Sequence, residues 1–384
     1  MDHIYLDNAA TTCVRKEVSD KMASVLRSYY GNPSSTHSFG RSSKSILEKC
    51  RKNIASFFNV KPSEIIFTSG GTEADNLVLR SAVLDLKINH IITSKIEHHA
   101  VVHTVNYLKD NFNVKISYVR VFPDGKIDYS HLDEILSKNN LKALVTLMHI
   151  NNEIGTILDL NRVSKICKLH GALFHSDTVQ SIGHYPLDLS KINIDFLAAS
   201  AHKFHGPKGI GFAFIRNGIG IKSIITGGSQ ERGYRSGTES LHDIVGLNES
   251  LKISYERLEI EKAHISEIKS YFINKLNQEI PGVKFNGSSN NLKDSTYTLV
   301  NVCFPVDIKK SPLFLFQLDL NGIACSKGSA CQSGSDSGSH VLNEILTDDD
   351  LKKPSIRFSF SCFNTKNEID SLVKVLKDII FETS

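Results

Sequence analysis

A lysine closes the apolar run Phe196-Leu197-Ala198-Ala199-Ser200-Ala201-His202-Lys203. Consecutive apolar residues read as a buried strand, and a lysine at such a strand's end is costly to bury unless it is paired or used. In a partly dry pocket its amine loses a proton and becomes a nucleophile able to form a Schiff base. The alternative is a strand-end lysine that snorkels to solvent. Asp177 follows a second apolar run, Leu173–His175, and a carboxylate at that edge of an open α/β sheet lies where ligands bind. There it can keep a pyridinium nitrogen protonated, as the electron sink of pyridoxal 5'-phosphate (PLP) requires, or it can simply cap the next turn.

Four further stretches carry chemistry. Ser69-Gly70-Gly71-Thr72 lies between a strand and a helix, where glycines admit an anion to the helix N-terminus; a tight turn capped by Thr72 is the other reading. His98, in Glu97-His98-His99, can stack on a flat cofactor and shuttle protons, or belong to a plain helix N-terminus. Adjacent histidines do not share a helix face, so no metal pair is expected. Arg357, inside the strand-like Ser355–Phe360, needs an anionic partner: a ligand carboxylate held bidentately or a structural ion pair. The segment 324–340 is rich in glycine and serine around Cys331, a composition that predicts a loop outside the packed core. A thiol there is placed to carry a group between sites; the alternative is an incidental surface cysteine, which suits Cys325 better than Cys331.

The elements that must position these residues alternate. Strand-like runs are expected at Ile65–Thr68, Ile91-Ile92, Val114–Val119, Ala143–Met148, Leu173–His175, Phe196–Ala199 and Ile210–Ile215, with helical patterns at 18–29, 46–58, 98–108, 131–136 and 163–169. That pattern predicts an α/β fold whose mostly parallel sheet is covered on both faces. Beyond Thr238 a long helical stretch over about 239–278 leads to shorter strands at Val283–Phe285, Leu299–Phe304 and Ile356–Phe360, and to helices at 313–320 and 368–380. We expect a large α/β domain over 15–250 and a smaller α+β domain over 251–384, hinged in the long helix, with residues 1–14 packing against the smaller one.

The 384 residues, of which 40% are hydrophobic and 22% charged, are those of an ordinary globular chain long enough for two cores. The formal net charge of +4 is small, and no basic run points to nucleic acid. No leader-like start and no membrane-length apolar run are visible, so a cytoplasmic protein is expected. Seven cysteines, at 13, 50, 167, 303, 325, 331 and 362, form no CxxC pair. They suggest neither a metal site nor a disulfide framework, but a reducing compartment. Cys50 and Cys167 fall on apolar helical stripes and are expected in the core.

Taken in order, these stretches resemble the NifS/IscS-type cysteine desulfurases, PLP enzymes of fold type I. The likeness runs through Leu6–Thr12, Gly31–Ser35, Thr68–Asn76, Glu97-His98, Asn151–Gly155, His175–Ser181, Ser200–Gly211, Arg232–Thr238 and Gly328–Ser333. The resemblance implies that Lys203 carries PLP as a Schiff base. It implies that Gly71, Thr72, Ser200 and His202 hold the phosphate, Asp177 pairs with the ring nitrogen, Gln180 and Asn152 contact the ring oxygen side, and His98 stacks on the ring. Arg357, with Asn152, would bind the substrate, Arg357 taking the cysteine α-carboxylate. Thr238 would reach the phosphate of a partner subunit, which makes the enzyme a homodimer with composite sites. Cys331, as thiolate, would take the substrate sulfur as a persulfide and leave alanine.

The Ser-Lys-Gly-Ser-Ala-Cys-Gln-Ser pattern resembles the long-loop group of that family rather than the SufS group. The sequence stops soon after Ile380, short of the longer tail with which IscS-type members dock an iron–sulfur scaffold, and has cysteine at 362 where relatives often carry arginine or glycine. The acceptor therefore stays open: an iron–sulfur scaffold, a tRNA-thiolation protein or a cofactor pathway. The competing readings are a selenocysteine lyase, another class-V PLP aminotransferase or lyase, and a non-catalytic sulfur-relay partner. The intact set Lys203, Asp177, His98 and Arg357 argues against the last, and Cys331 on its loop argues against an aminotransferase.

Overall fold

The structure, a computed structural model, describes residues 3–306, 311–328 and 338–381. Its strands are β1 (Ile4–Tyr5), β2 (Ile65–Thr68), β3 (His90–Thr93), β4 (Lys115–Tyr118), β5 (Ala143–Thr146), β6 (Leu173–Asp177), β7 (Phe196–Ser200), β8 (Gly211–Ile215), β9 (Lys284–Phe285), β10 (Leu299–Cys303), β11 (Ile323–Ala324) and β12 (Ser355–Ser359). The helices are α1 (Lys16–Ser28), α2 (Ser38–Phe57), α3 (Gly71–Leu84), α4 (His99–Phe112), α5 (Tyr129–Ser137), α6 (Leu160–Leu169), α7 (Leu241–Glu256), α8 (Leu258–Glu279), α9 (Ser311–Leu320), α10 (His340–Ile345), α11 (Asp348–Leu351) and α12 (Lys366–Phe381).

Seven strands form one sheet in the order β2-β8-β7-β6-β5-β3-β4. Strands β7, β6, β5, β3 and β4 run parallel, and β8 alone is antiparallel to its neighbours β2 and β7. The mostly parallel α/β sheet read from the alternation is the one observed. Its inner strands are buried almost throughout because both faces are covered, and β7 and β8 are nearly continuous apolar runs. On β2, Ile65 and Phe67 enter the core under α1, α2, α5, α6 and α7, while Ile66 enters the core under α3 and α4. On β7, Leu197 and Ala199 take the first face, Phe196 and Ala198 the second. Within this sheet only the edge strand β4 lacks a buried residue. Cys50 and Cys167 are buried in the first core.

A separate core gathers around the antiparallel sheet β12-β10-β9, with Ile265, Phe272 and Leu276 of α8, Phe314 of α9 and Leu372 of α12. Ile4 and Leu6 join this core, and β1 pairs in parallel with β11. The stretch 239–278, read as one helix with a hinge, is two. Arg257, at φ −103° and ψ 5°, ends α7 and precedes α8. No glycine or proline marks that break; α7 packs into the first core and α8 into the second, and the break falls between them. Among the described residues no helix is long and apolar enough to cross a membrane.

Candidate active site

The loops at the C-terminal ends of the parallel strands enclose a cavity of about 560 Å³, within the size range of small-molecule sites. Its wall brings together Gly71, Thr72, His98, Asn152, Asp177, Gln180, Ser200, His202, Lys203 and Arg357, residues spread over almost three hundred positions of sequence. Two other residues singled out by sequence are not in that wall. Thr238 is exposed on the segment that precedes α7, and Cys331 lies outside the described residues.

Lys203 ends a short helical turn, Ala201–Lys203, that follows β7 directly. Its Nζ donates to the carbonyl oxygens of Ala9 and Ala10, both at 2.8 Å, so the N-terminal segment forms part of the site. Gln180 reinforces that segment by donating from Nε2 to the Ala9 carbonyl at 2.9 Å, and His202 Nδ1 lies 3.2 Å from Thr11 Oγ1. The lysine is neither lost to solvent nor placed in the core; it is held at the cavity wall.

Asp177 is the last residue of β6 and is buried, with Oδ1 accepting from the Val179 N–H at 2.9 Å. It accepts within its own turn and also lines the cavity. Burial pushes its carboxyl up to about 6, against the Val179 hydrogen bond and the nearby Lys203 ammonium. A cation set against Asp177 therefore relieves an unfavourable burial. His98 is the N-cap of α4, its Nδ1 accepting from the Ala100 N–H at 3.2 Å. Burial, then the Lys203 charge, pushes its imidazole down to about 4, leaving it neutral near pH 7 and able to exchange a proton.

Between β2 and α3 the chain turns through Gly70 at φ +153°, a conformation that L side chains rarely adopt. A Cβ on Gly71 would fall 2.5 Å from Val179 Cγ2. The first turn of α3 and the Ser200 side chain line the same wall, so backbone N–H groups and hydroxyls converge where an anion is favoured. Arg357 is fully buried on β12. Its Nη2 donates to Asp7 Oδ1 at 2.9 Å and its Nη1 to the Asn152 carbonyl at 2.7 Å. It makes a structural ion pair and still lines the cavity, and its Nε is buried with no hydrogen-bond partner among the described residues.

The sequence reading missed two acids. Asp75, on α3, lines the cavity with both carboxyl oxygens buried and unbonded among the described residues. Its Oδ1 stands 3.4 Å from His175 Nε2, and burial, then Asp177 and Glu97, push its carboxyl well up. Glu97 accepts from Ser94 Oγ at 2.6 Å and from the Met148 N–H at 2.8 Å, and burial pushes it up to about 8. The signal was available at Asp75: an acid one turn ahead of Val78 and Leu79, on the buried face of its helix. Among the described residues no three His, Cys, Asp or Glu side chains gather as metal ligands.

The description Aminotransferase class-V matches residues 4–372. A protein of Dictyoglomus turgidum named cysteine desulfurase IscS is 40% identical over 379 residues, 98% of this chain and 94% of that one. A solved structure described as a NifS-like protein superposes with a TM-score of 0.89 at 34% identity, covering 98% of this chain and 99% of that one. Another, described as SspA in complex with cysteine, gives a TM-score of 0.81 at 29% identity over 94% of this chain and 100% of its own. The chain belongs to the class-V aminotransferase family.

Proposed function

We propose that this protein is a PLP-dependent cysteine desulfurase, converting L-cysteine to L-alanine and passing the sulfur to Cys331 as a persulfide for an acceptor protein. The observation that carries the reading is the single cavity that gathers Lys203, Asp177, His98 and Arg357 around the Gly70-Gly71 turn. The family and the relatives named as cysteine desulfurases support it.

The residues suit PLP. The turn where a Cβ would strike Val179 admits a phosphate, held by Gly71, Thr72, Ser200 and His202. Asp177, raised by its burial, is matched to a protonated ring nitrogen. Gln180 and Asn152 would contact the ring oxygen side and His98 would stack on the ring. Bound there, PLP supplies the electron sink for charge developing at the substrate Cα.

The protein's own groups do the remainder. Arg357 holds the substrate α-carboxylate, its Nε having no other partner among the described residues. Lys203 would hold the cofactor as its covalent anchor, and its amine, when free, would take the proton from Cα; His98, neutral near pH 7, would help to move it. Cys331 attacks as thiolate: an S–S bond forms to the substrate sulfur, the Cβ–S bond breaks, its electron pair stays with carbon, and a proton completes alanine. We propose also that the chain works as two domains, 15–250 and 251–384 with 1–14 on the latter, in the cytoplasm, as a homodimer in which Thr238 reaches the partner's phosphate. The two separate cores support the division.

The test is alanine and sulfide formation from L-cysteine under a reductant, in the parent and in Cys331→Ala. Sulfide release that disappears in Cys331→Ala while the cofactor stays bound supports the assignment. Alanine formed as fast without the thiol would point to a different PLP lyase.

A further inference from the structure

The segment Gln230–Thr238, which makes no wall of the cavity, is tied to the anion cradle at two points. Glu231 is buried, and its carboxylate accepts from Arg51 Nη2 at 2.6 Å, from Arg51 Nη1 at 2.7 Å and from the Phe67 N–H at 2.8 Å. Phe67 is on β2, two residues before Ser69. Arg51 Nη1 also donates to the Ile65 carbonyl at 2.7 Å, and its guanidinium lies 4.6 Å from the centre of the Phe67 ring. On the far side of the cradle, Glu73 Oε2 accepts from the Ser69 N–H at 2.7 Å, and Arg235 Nε donates to Glu73 Oε1 at 2.9 Å.

The two ties therefore bracket Ser69-Gly70-Gly71-Thr72. At the first tie, Glu231 (φ 44°) and the next residue, Arg232 (φ 58°), sit in the left-handed region, which two successive non-glycine residues keep only where their surroundings hold them. A segment so held acts as a splint. We propose that Glu231 with Arg51 and Arg235 with Glu73 are positioning pairs that fix the Ser69–Thr72 turn in the shape that binds a phosphate. Neither arginine lines the cavity; both act by fixing the backbone on either side of Gly70 and Gly71, whose Phe67 and Ser69 N–H groups are taken by Glu231 and Glu73.

This inference rests on reading the cavity as a PLP site, and the test separates the two. The full-length chain, stripped of cofactor, is titrated with PLP and with pyridoxal, which lacks the phosphate, following the absorbance of each as it binds; inorganic phosphate is added as a competitor. The parent binds PLP far more tightly than pyridoxal. Arg235→Gln lowers PLP affinity tenfold or more, leaves pyridoxal affinity within twofold and weakens competition by phosphate, while Arg235→Lys recovers part of the loss. If Arg235→Gln does not fold, Glu73→Gln tests the same pair, since its amide oxygen still accepts from Ser69. Equal losses for both ligands, or none for PLP, would overturn the positioning role. A parent with no preference for PLP over pyridoxal would overturn the reading of the site itself.

Discussion

At the scale of single residues, the site depends on groups whose charge is set by burial. Arg357 already spends one guanidinium N–H on Asp7 and one on the Asn152 carbonyl, so a point charge cannot replace its fork. Arg357→Lys is expected to lower kcat/KM for L-cysteine by one to two decades, about 1.4–2.7 kcal/mol, mostly through KM; steady-state kinetics at saturating PLP checks it. A second prediction lies far from the site. Lys269 on α8 is buried, donating to Ser295 Oγ at 3.0 Å and to the Thr296 carbonyl at 2.6 Å, and burial pushes its amine down to about 7 from 10.5. Between those values the unfolded chain binds the extra proton, so this residue makes stability rise with pH from about 7 towards 10.5. Thermal melts of Lys269→Met across that window should show the rise flattened. Glu97 works in the opposite sense. Its folded value of about 8 lies above the ordinary 4.5, so its contribution is full below 4.5 and is lost as pH rises through 8. The Glu97 slope thus falls between pH 4.5 and about 8, and the Lys269 slope rises between about 7 and 10.5.

At the scale of elements, the strongest constraint is the Arg51–Glu231 pair, with side chains only 2% and 1% exposed. Removing one partner leaves a buried charge unmatched, and Arg51→Met is expected to cost about 3–5 kcal/mol, read as a lower midpoint in urea. Gly71→Ala tests the start of α3 in a different way. Its Cβ would meet Val179 Cγ2 at 2.5 Å, so cofactor affinity should fall although the helix gains an alanine. How far elements were legible follows from what forms them. The inner strands are local apolar runs buried on both faces, and their positions and mostly parallel pairing could be read directly. The break at Arg257 could not, because it arises from two cores meeting and not from a helix-breaking residue. Nor could the parallel pairing of β1 with β11, two residues each and joined at Ile4 and Ile323; strands so short carry no periodicity. Asp75 escaped because its importance lies in what it faces across the fold, though its place on an apolar helix face was visible.

At the scale of the whole molecule, the residue that tests the assembly is Thr238. It is exposed and absent from the wall of its own chain's cavity, yet it sits on a segment gripped by Glu231 and Arg235. An exposed residue on a segment so held, outside its own chain's cavity wall, is suited to serve another copy's site, as the sequence resemblance implied. Leu26, Tyr29, Tyr30 and Phe39 add an exposed apolar cluster at the end of α1 and the start of α2, area that a second copy can cover. The decisive experiment mixes two impaired variants. In a dimer with composite sites, Lys203→Ala and Thr238→Val each disable both sites of their own homodimer. In a hybrid, one site receives both defects, and the other pairs an intact Lys203 with an intact Thr238 from across the interface. Unfolding and refolding the two variants together should therefore restore about a quarter of parent activity, because random exchange makes half the dimers hybrid with one sound site in each. If Thr238 instead served its own chain, every site in the mixture would keep one defect and refolding would restore nothing. Sedimentation at the assay concentration establishes that the mixture is dimeric, so a lack of recovery could not be ascribed to dissociated chains.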